Sequence, residues 1–160
     1  MKKVAIVMGS ASDREVAAPA ARQLEALGIP CVQRVMSAHR TPVEARDFAL
    51  SLEENGFGAV IAFAGMAAHL AGALAASTVL PVIGVPVASG HLNGLDALLA
   101  TVQMPSGIPV ATVAVNGGKN AAILAAQMLA VEDVGLRQKL KDERERMHRD
   151  VVQADLDLNK

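Results

Sequence analysis

Short apolar runs alternate with longer segments of helical periodicity, and this alternation constrains the fold of the chain more than any other feature. The apolar runs predict strands at residues 4–8, 30–36, 59–63, 81–85 and 110–115. Helices are predicted at residues 12–28, 42–55, 70–78, 95–102 and 119–131. Strands joined by helices form βαβ units with right-handed crossovers, and a sheet buried on both faces explains the uninterrupted apolar runs. We therefore predict an α/β fold in which a doubly wound parallel sheet lies between two layers of helices.

The first predicted helix has clear start and stop signals but also contains a proline. Ser12 and Glu15 match the capping-box pattern, and Gly28 is a typical residue for ending a helix. Pro19 falls inside this segment, where it removes one backbone hydrogen bond and clashes with the carbonyl of Glu15. We therefore expect either a kink in this helix or an irregular first turn.

The hexad Ser-Ala-His-Arg-Thr-Pro at residues 37–42 joins the second predicted strand to the second helix. Thr41 is expected to be the N-cap of that helix, with Pro42 at its first position and Glu44 completing a capping box. Loop residues near the positive end of a helix can gather around an anion. The side chains available for this are Ser37, His39 and Arg40. Considered alone, an ordinary solvated turn is an equally good interpretation of these residues.

Three polar loops are predicted to meet at one edge of the sheet, because ligands of doubly wound domains bind beyond the carboxyl ends of the strands. They cover residues 9–13, 37–40 and 65–69. The hydroxyls of Ser10 and Ser12, with backbone N–H groups, suit a phosphate, and Asp13 suits ribose hydroxyls. The first loop lacks both the Walker A ending and the G-x-G-x-x-G pattern, so a single sugar phosphate is favoured over ATP or NAD.

The histidines supply the candidate acid–base chemistry. Imidazole changes charge near neutral pH, so His39 is the candidate general acid and base. His69, at the end of the third strand, either shapes the same site or is structural, whereas His91 and His148 are interpreted as ordinary polar residues. The four histidines and Cys31 do not share the spacing of metal ligands, so no metal site is predicted.

Composition excludes several other classes of protein. Three phenylalanines, the absence of tyrosine and tryptophan, and a formal net charge of −1 argue against nucleic-acid binding. The apolar segments are interrupted before they reach the length of a membrane span, so no membrane association is expected. A lone cysteine, Cys31, excludes an internal disulfide and favours a reducing, cytoplasmic location, with the thiol buried as a structural residue.

A single domain is expected over residues 1–160, with a core of about residues 1–131 and a helical extension of about residues 132–160. One face of this charged extension carries apolar residues at helical spacing, namely Leu136, Leu140, Met147 and Val151. This face packs either on its own domain or on a neighbouring subunit, and we favour the second. Residues 154–160 are expected to fray.

Five motifs together resemble those of the PurE family. They are Gly-Ser-Ala-Ser-Asp at residues 9–13, the hexad at 37–42, Ala-Ala-His-Leu at 67–70, Gly-Val-Pro-Val at 84–87 and Gln-Met-Pro at 103–105. The hexad is the most specific, and the resemblance covers about residues 4–131. It implies a flavodoxin-like three-layer fold and an enzyme of purine biosynthesis, an N5-carboxyaminoimidazole ribonucleotide mutase of class I. Class II members, which carboxylate aminoimidazole ribonucleotide directly with CO₂, typically have lysine after the histidine and lack Ala-Ala-His-Leu.

The resemblance also implies roles for particular residues. The principal substrate contacts would be Ser10, Asp13 and Arg40, with Ser12 and Ser37 assisting at the phosphate. His39 would shuttle a proton between the exocyclic nitrogen and C4 of the substrate. The pocket for the intermediate CO₂ would be lined by Gly65, Ala67, Ala68, His69 and Leu70. No metal, biotin, ATP or other cofactor is implied, and family members are homo-octamers with sites at subunit contacts.

Three positions depart from the family pattern, which usually has glycine where Phe63 and Met66 stand and proline where Ala71 stands. Met66 adds bulk beside the expected CO₂ pocket, and it either narrows the pocket or points away. Two alternatives to the class I mutase are a class II carboxylase on the same fold and a non-catalytic binding module for a phosphorylated ligand. Arg40 and residues 67–70 favour class I, and a pure binding module would have no use for His39.

Overall fold

Within residues 1–159, which the computed structural model describes, five parallel strands form one sheet in the order β2-β1-β3-β4-β5. The strands are β1 (Lys3–Met8), β2 (Cys31–Val35), β3 (Phe57–Gly65), β4 (Val82–Val87) and β5 (Ala111–Thr112). β1 and β3 lie at the centre, and nearly all of their residues are buried. All five predicted strands are present, and the order is that of a flavodoxin-like doubly wound sheet, as predicted.

Helices cover both faces of the sheet. They are α1 (Arg14–Leu27), α2 (Pro42–Ser51), α3 (Leu70–Ala75), α4 (Leu95–Val102), α5 (Gly118–Leu129) and α6 (Val134–Leu158). The apolar core on one face is formed with α1, α5 and the start of α6, and the core on the other face with α2 and α3. α4 packs on the second face, where Thr101 lies so close to Gly84 that a Cβ on this glycine would overlap its methyl group. The three-layer prediction is therefore confirmed.

The chain enters α1 through an irregular first turn. Residues Ala11–Asp13 form a 3₁₀ turn, and Ser10 with Asp13, rather than Ser12 with Glu15, makes the capping box. The predicted box is wrong because the Ser12 hydroxyl donates to the hydroxyl of Ser10 instead of capping the helix. Pro19 lies inside α1, which nevertheless continues to Leu27, and Gly28 ends it with a φ of 75°. The irregular turn expected near the start of this helix is therefore present, and α1 is continuous across Pro19.

Thr41 has a different role from the one predicted. It is the N-cap of α2 by position, and Pro42 begins the helix, but the Thr41 side chain does not cap the helix N–H groups. Its hydroxyl oxygen accepts a hydrogen bond from the N–H of Ser37 at 2.8 Å and contacts the Ser37 carbonyl at 3.2 Å. The predicted capping box with Glu44 is therefore wrong, and Thr41 instead closes the hexad into a compact turn.

β4 extends two residues further than predicted, through Pro86 to Val87. A proline in an inner strand is unusual because it lacks the N–H that the ladder needs. Here β5 ends at Thr112, and the Pro86 carbonyl accepts from the N–H of Asn116 at 2.8 Å. The N–H and C=O groups of one strand residue point toward the same neighbouring strand. Because the Pro86 carbonyl bonds to the loop after β5, the Pro86 nitrogen also faces this loop, and no hydrogen bond of the sheet is lost there.

The first part of α6 packs on its own domain. Leu136 is buried, the ammonium group of Lys139 donates to the carbonyl of Leu27 at 2.8 Å, and Gln23 donates to the carboxylate of Glu143. Further along, Met147 and Val151 are 40% and 71% exposed. The predicted apolar face is therefore divided between the domain and a free surface.

The C-terminal part of the extension is helical. α6 continues to Leu158, so the predicted fraying of residues 154–158 is wrong, while Lys160 lies outside the described residues. No helix within residues 1–159 combines the length and apolar composition needed to cross a membrane.

Cys31 is a free thiol that packs partly buried against the core, rather than fully inside it as predicted. Burial, with a smaller contribution from the carboxylate of Glu25, raises the pKa of this thiol. A raised pKa keeps the sulfur protonated, so Cys31 is a poor nucleophile and a structural residue.

Candidate active site

A cavity of about 480 Å³ opens at the carboxyl edge of the sheet, where β1, β2, β3 and β4 end. The register brings these ends level, because Met8 pairs with Val35 and Phe63, and Gly65 pairs with Val87. Every residue predicted for the site lines this cavity except Ala68, whose side chain is 1% exposed and belongs to the buried interior. The three polar loops therefore meet as the topology predicted.

The turn after β1 forms one wall of the cavity. The Asp13 carboxylate accepts a hydrogen bond from the N–H of Ser10 at 3.0 Å. The Ser10 hydroxyl oxygen accepts from the hydroxyl of Ser12 at 2.9 Å and from its N–H at 3.3 Å. The Ser10 hydroxyl thereby keeps its own proton free for a ligand. A hydrogen-bond donor beside a carboxylate suits a phosphorylated sugar, which presents both acceptors and hydroxyl donors.

Asp13 is buried, and burial raises the pKa of its carboxyl above the usual value of 3.8. The N–H of Ser10 and the guanidinium of Arg40 act in the opposite direction without cancelling this effect. The folded chain therefore holds the Asp13 proton more tightly than the unfolded chain does.

This difference makes the contribution of Asp13 to stability depend on pH. As the pH rises from 3.8 through the raised folded pKa, the folded state binds more protons than the unfolded state, so Asp13 progressively reduces the free energy of unfolding. Asp13→Asn retains an oxygen acceptor for the N–H of Ser10 but does not titrate. The free energy of unfolding of this variant, minus that of the unchanged chain, is therefore expected to increase as the pH rises through this range. Urea unfolding of both proteins at several pH values measures the effect. A stability difference that does not vary with pH would contradict the burial argument.

Arg40 connects the turn after β2 to the turn after β1. Its guanidinium donates to the carbonyl of Gly9 at 2.9 Å, and its Nε and backbone N–H donate to the hydroxyl of Ser37 at 3.3 and 3.1 Å. These contacts hold the planar guanidinium beside the start of α2, where the helix dipole also favours negative charge. A phosphate placed here would meet a guanidinium whose geometry matches its oxygens.

His39 and His69 bring the second and third polar loops into contact. Nε2 of His39 lies 2.8 Å from Nδ1 of His69, and the two ring planes are inclined at 76°. A hydrogen bond between two imidazole nitrogens requires one donor and one acceptor, so each ring restricts the tautomer of the other. Within residues 1–159, Nδ1 of His39 has no hydrogen-bond partner, so this nitrogen can exchange a proton with a ligand.

Apart from Met66, four cavity residues were not named as site residues by the sequence analysis. Gly9 and Ala38 lie in the predicted loops, whereas Ala64, in β3, and Ser89, in the loop after β4, lie outside them. The signal that could have identified Ser89 is its position two residues beyond a strand end at the same sheet edge. Among the described residues, no cluster of three His, Cys, Asp or Glu side chains is arranged to hold a metal ion.

Comparison with known proteins identifies the family. Residues 3–150 match the family model described as AIR carboxylase, and the matched range contains every residue of the cavity. The chain belongs to the AIR carboxylase, or PurE, family. A relative from Pyrococcus abyssi named N5-carboxyaminoimidazole ribonucleotide mutase is 52% identical over 149 residues, which are 93% of this chain and 86% of the relative. A relative of the same name from Escherichia coli strain K12 is 51% identical over 153 residues, covering 94% of this chain and 90% of the relative.

The fold agrees with that of a solved PurE structure. The crystal structure of Treponema denticola PurE superimposes with a TM-score of 0.90 at 30% sequence identity, covering 98% of both chains. The predicted membership of the PurE family and its flavodoxin-like sheet are therefore confirmed.

Only one of the three departures from the PurE pattern reaches the cavity. The Phe63 side chain is fully buried on the α5 side, where its ring packs against Gly118, and Ala71 is buried in the opposite core. Met66 is part of the cavity lining, and its side chain is 59% exposed and lies near Gly90. Its φ of 53° is a left-handed conformation that costs a non-glycine residue roughly 1–2 kcal/mol.

Proposed function

We propose that the chain is an N5-carboxyaminoimidazole ribonucleotide mutase, an isomerase that moves a carboxylate from the exocyclic nitrogen to C4 of the imidazole. The observation that carries the proposal is the His39–His69 contact in a cavity that also holds Arg40 and Ser10. Acid–base chemistry and phosphate binding are thus available in one site. The mutase name carried by relatives that are 52% and 51% identical supports the same reaction.

The phosphate and ribose of the substrate bind at the β1–β2 end of the cavity. Arg40 and the hydroxyls of Ser10, Ser12 and Ser37 contact the phosphate, and the Asp13 carboxylate accepts from the ribose hydroxyls. The support for this placement is that Arg40 already bridges the two loops through Gly9 and Ser37. The ligand would therefore replace solvent at a preformed group of donors, with little rearrangement of the protein.

His39 moves one proton in two steps. As the bond between the exocyclic nitrogen and the carboxylate breaks, His39 gives its proton to that nitrogen and CO₂ is released into the cavity. C4 then attacks the CO₂, and His39 removes the proton that C4 carries. The proton taken from C4 replaces the one that His39 gave to the nitrogen. The imidazole therefore ends the cycle in its starting state, and the reaction consumes no cofactor.

The CO₂ pocket is formed at the end of β3 and the start of α3, by Gly65, Ala67, Ala68, His69 and Leu70. The N–H groups of Ala68 and His69 are already bonded to the carbonyls of Met66 and Ala67, both at 2.9 Å. The N–H of Leu70, the first residue of α3, is not used by its own helix. We assign this N–H to the carboxylate, while Ala68 acts through the backbone turn that shapes the loop.

The protein acts as a cytoplasmic homo-octamer whose sites lie at subunit contacts. His39, His69, Arg40 and Met66 are all exposed in the single chain, whereas a CO₂ intermediate must be kept from solvent. α4 also carries an exposed apolar stripe, with Leu95, Leu99 and Val102 at 55%, 50% and 47% exposure. A second copy covering such surfaces would bury apolar area and close the cavity.

Light scattering tests the assembly. The expected mass is about eight times the 16.6 kDa of one chain. Leu99→Lys places a charge in the apolar stripe of α4, and we expect it to lower both the mass and the turnover rate. A monomer that retains full activity would contradict the proposal that subunits complete the site.

A paired turnover assay without ATP or added metal tests the reaction itself. One sample receives N5-carboxyaminoimidazole ribonucleotide, and the other receives aminoimidazole ribonucleotide with bicarbonate at a physiological concentration. Rapid formation of the C4-carboxylated product in the first sample alone is the expected result. Turnover in the second sample alone would identify a direct carboxylase, and no turnover in either would indicate a binding module.

A further inference from the structure

Ser89 lines the cavity from the loop after β4, whereas the site residues assigned above lie at or beyond the ends of β1, β2 and β3. β4 ends at Val87, and the backbone of Ser89 is extended, with φ of −156° and ψ of 164°. Its hydroxyl lies against Gly65, so closely that a Cβ built on this glycine would overlap the Ser89 oxygen. The absence of a side chain at Gly65 therefore makes room for the hydroxyl at the cavity wall.

The Ser89 hydroxyl differs from the other hydroxyls of the cavity in its bonding. Ser10, Ser12 and Ser37 each take part in hydrogen bonds within the protein. Ser89 precedes a short 3₁₀ turn, and its side chain does not cap that turn. Within residues 1–159 the Ser89 hydroxyl has no hydrogen-bond partner. Its donor is therefore free in a partly buried position that lines a ligand cavity.

The strand order places this donor far from the phosphate contacts. Arg40 and Ser37 follow β2, and Ser10 follows β1, whereas Ser89 follows β4 on the other side of β3. Neighbouring strands are about 4.8 Å apart, so the ends of β2 and β4 are separated by roughly 14 Å. A ribonucleotide held by its phosphate at β1 and β2 would extend its base toward the ends of β3 and β4.

We propose that Ser89 is a further substrate-contacting residue, whose hydroxyl donates a hydrogen bond to the carboxylate that migrates between the two atoms of the imidazole. The proposal rests on the proposed mutase function and adds a residue to the same site. Ser89 would approach the carboxylate from the end of β4, beside Gly65 at the end of β3. The hydroxyl fixes the orientation of the carboxylate and delays the escape of CO₂ after the first bond breaks.

Ser89→Ala tests this role because it removes only the hydroxyl. Losing a hydrogen bond to a charged group is expected to lower kcat/KM for N5-carboxyaminoimidazole ribonucleotide by about 10- to 100-fold. More aminoimidazole ribonucleotide should also be formed per molecule of product, since CO₂ is held less well. The affinity for aminoimidazole ribonucleotide, which has no carboxylate, should stay within about twofold of the unchanged chain.

Ser77→Ala is the matched control, because the Ser77 hydroxyl bonds to the carbonyl of Ala73 at the end of α3, outside the cavity. This variant should match the unchanged chain in all three measurements. An equal loss of affinity for both nucleotides in Ser89→Ala would overturn the proposal, since it would show a structural role. Unchanged turnover and CO₂ retention in Ser89→Ala would overturn it while leaving the mutase function intact. If the unchanged chain itself fails to convert N5-carboxyaminoimidazole ribonucleotide, the proposed function fails first, and this inference fails with it.

Discussion

His39→Asn is expected to lower kcat by roughly 10²–10⁴-fold while leaving the Kd for the substrate nearly unchanged. The amide of asparagine takes the position of Nδ1, so it can still bond to a ligand there, but it does not replace the Nε2 that contacts His69, and it cannot accept and return a proton near neutral pH. Arg40 and Ser10, which we assign to the phosphate, are held by Gly9 and Ser12 and not by His39, so the substitution should leave them in place. Steady-state kinetics and calorimetric binding of the nucleotide, performed on the same preparation, separate the two quantities.

His148→Asn provides the control for this substitution, because His148 lies exposed on α6, remote from the cavity. This variant should behave as the unchanged chain does. If His39→Asn retained most of its kcat, another group would have to carry the proton, and the mechanism built on His39 would be wrong.

Arg40→Ala is expected to weaken substrate binding by about 2–4 kcal/mol, provided that the guanidinium and the phosphate are desolvated together. The substitution also removes the contacts to Gly9 and Ser37, which hold the first two loops at their present separation. Arg40→Lys should recover only part of the affinity, because an ammonium group restores the charge without the planar pair of donors. Calorimetric titration with the substrate measures these differences.

Arg46→Ala controls for the loss of a positive charge, since Arg46 is exposed on α2 and does not line the cavity. It should alter the Kd by less than about threefold. Equal affinities in Arg40→Ala and the unchanged chain would contradict the assignment of the phosphate to the β1–β2 end.

Much of the fold was predictable because strands buried on both faces have uninterrupted apolar sequences. Burial explains the apolar runs of β1 and β3, and the left-handed turn that ends α1 explains the glycine at residue 28. The errors arose where distant or competing contacts decided the outcome. Pro86 remains in a strand because β5 stops early, and Thr41 bonds to Ser37 instead of to α2.

The candidate site was predicted to a similar extent and for a related reason. Strand ends of a parallel sheet share one edge, so the loops containing Ser10, His39 and Gly65 could be placed together from topology alone. The 2.8 Å contact between His39 and His69 could not, because it joins residues thirty positions apart through side-chain orientation. Ser89 was missed because the sequence analysis interpreted its loop, which includes His91, as ordinary polar residues and placed no part of the site there.

The most direct test of the central claim follows the carbon atom that migrates. N5-carboxyaminoimidazole ribonucleotide labelled with ¹³C in its carboxylate is converted in a solution of unlabelled bicarbonate, and the product is analysed by mass spectrometry. A mutase that holds CO₂ in the cavity is expected to deliver most of the label to the carboxylate at C4. A product whose carboxylate comes mainly from unlabelled bicarbonate would show that CO₂ leaves the site, and would contradict the assignment of this chain as a mutase.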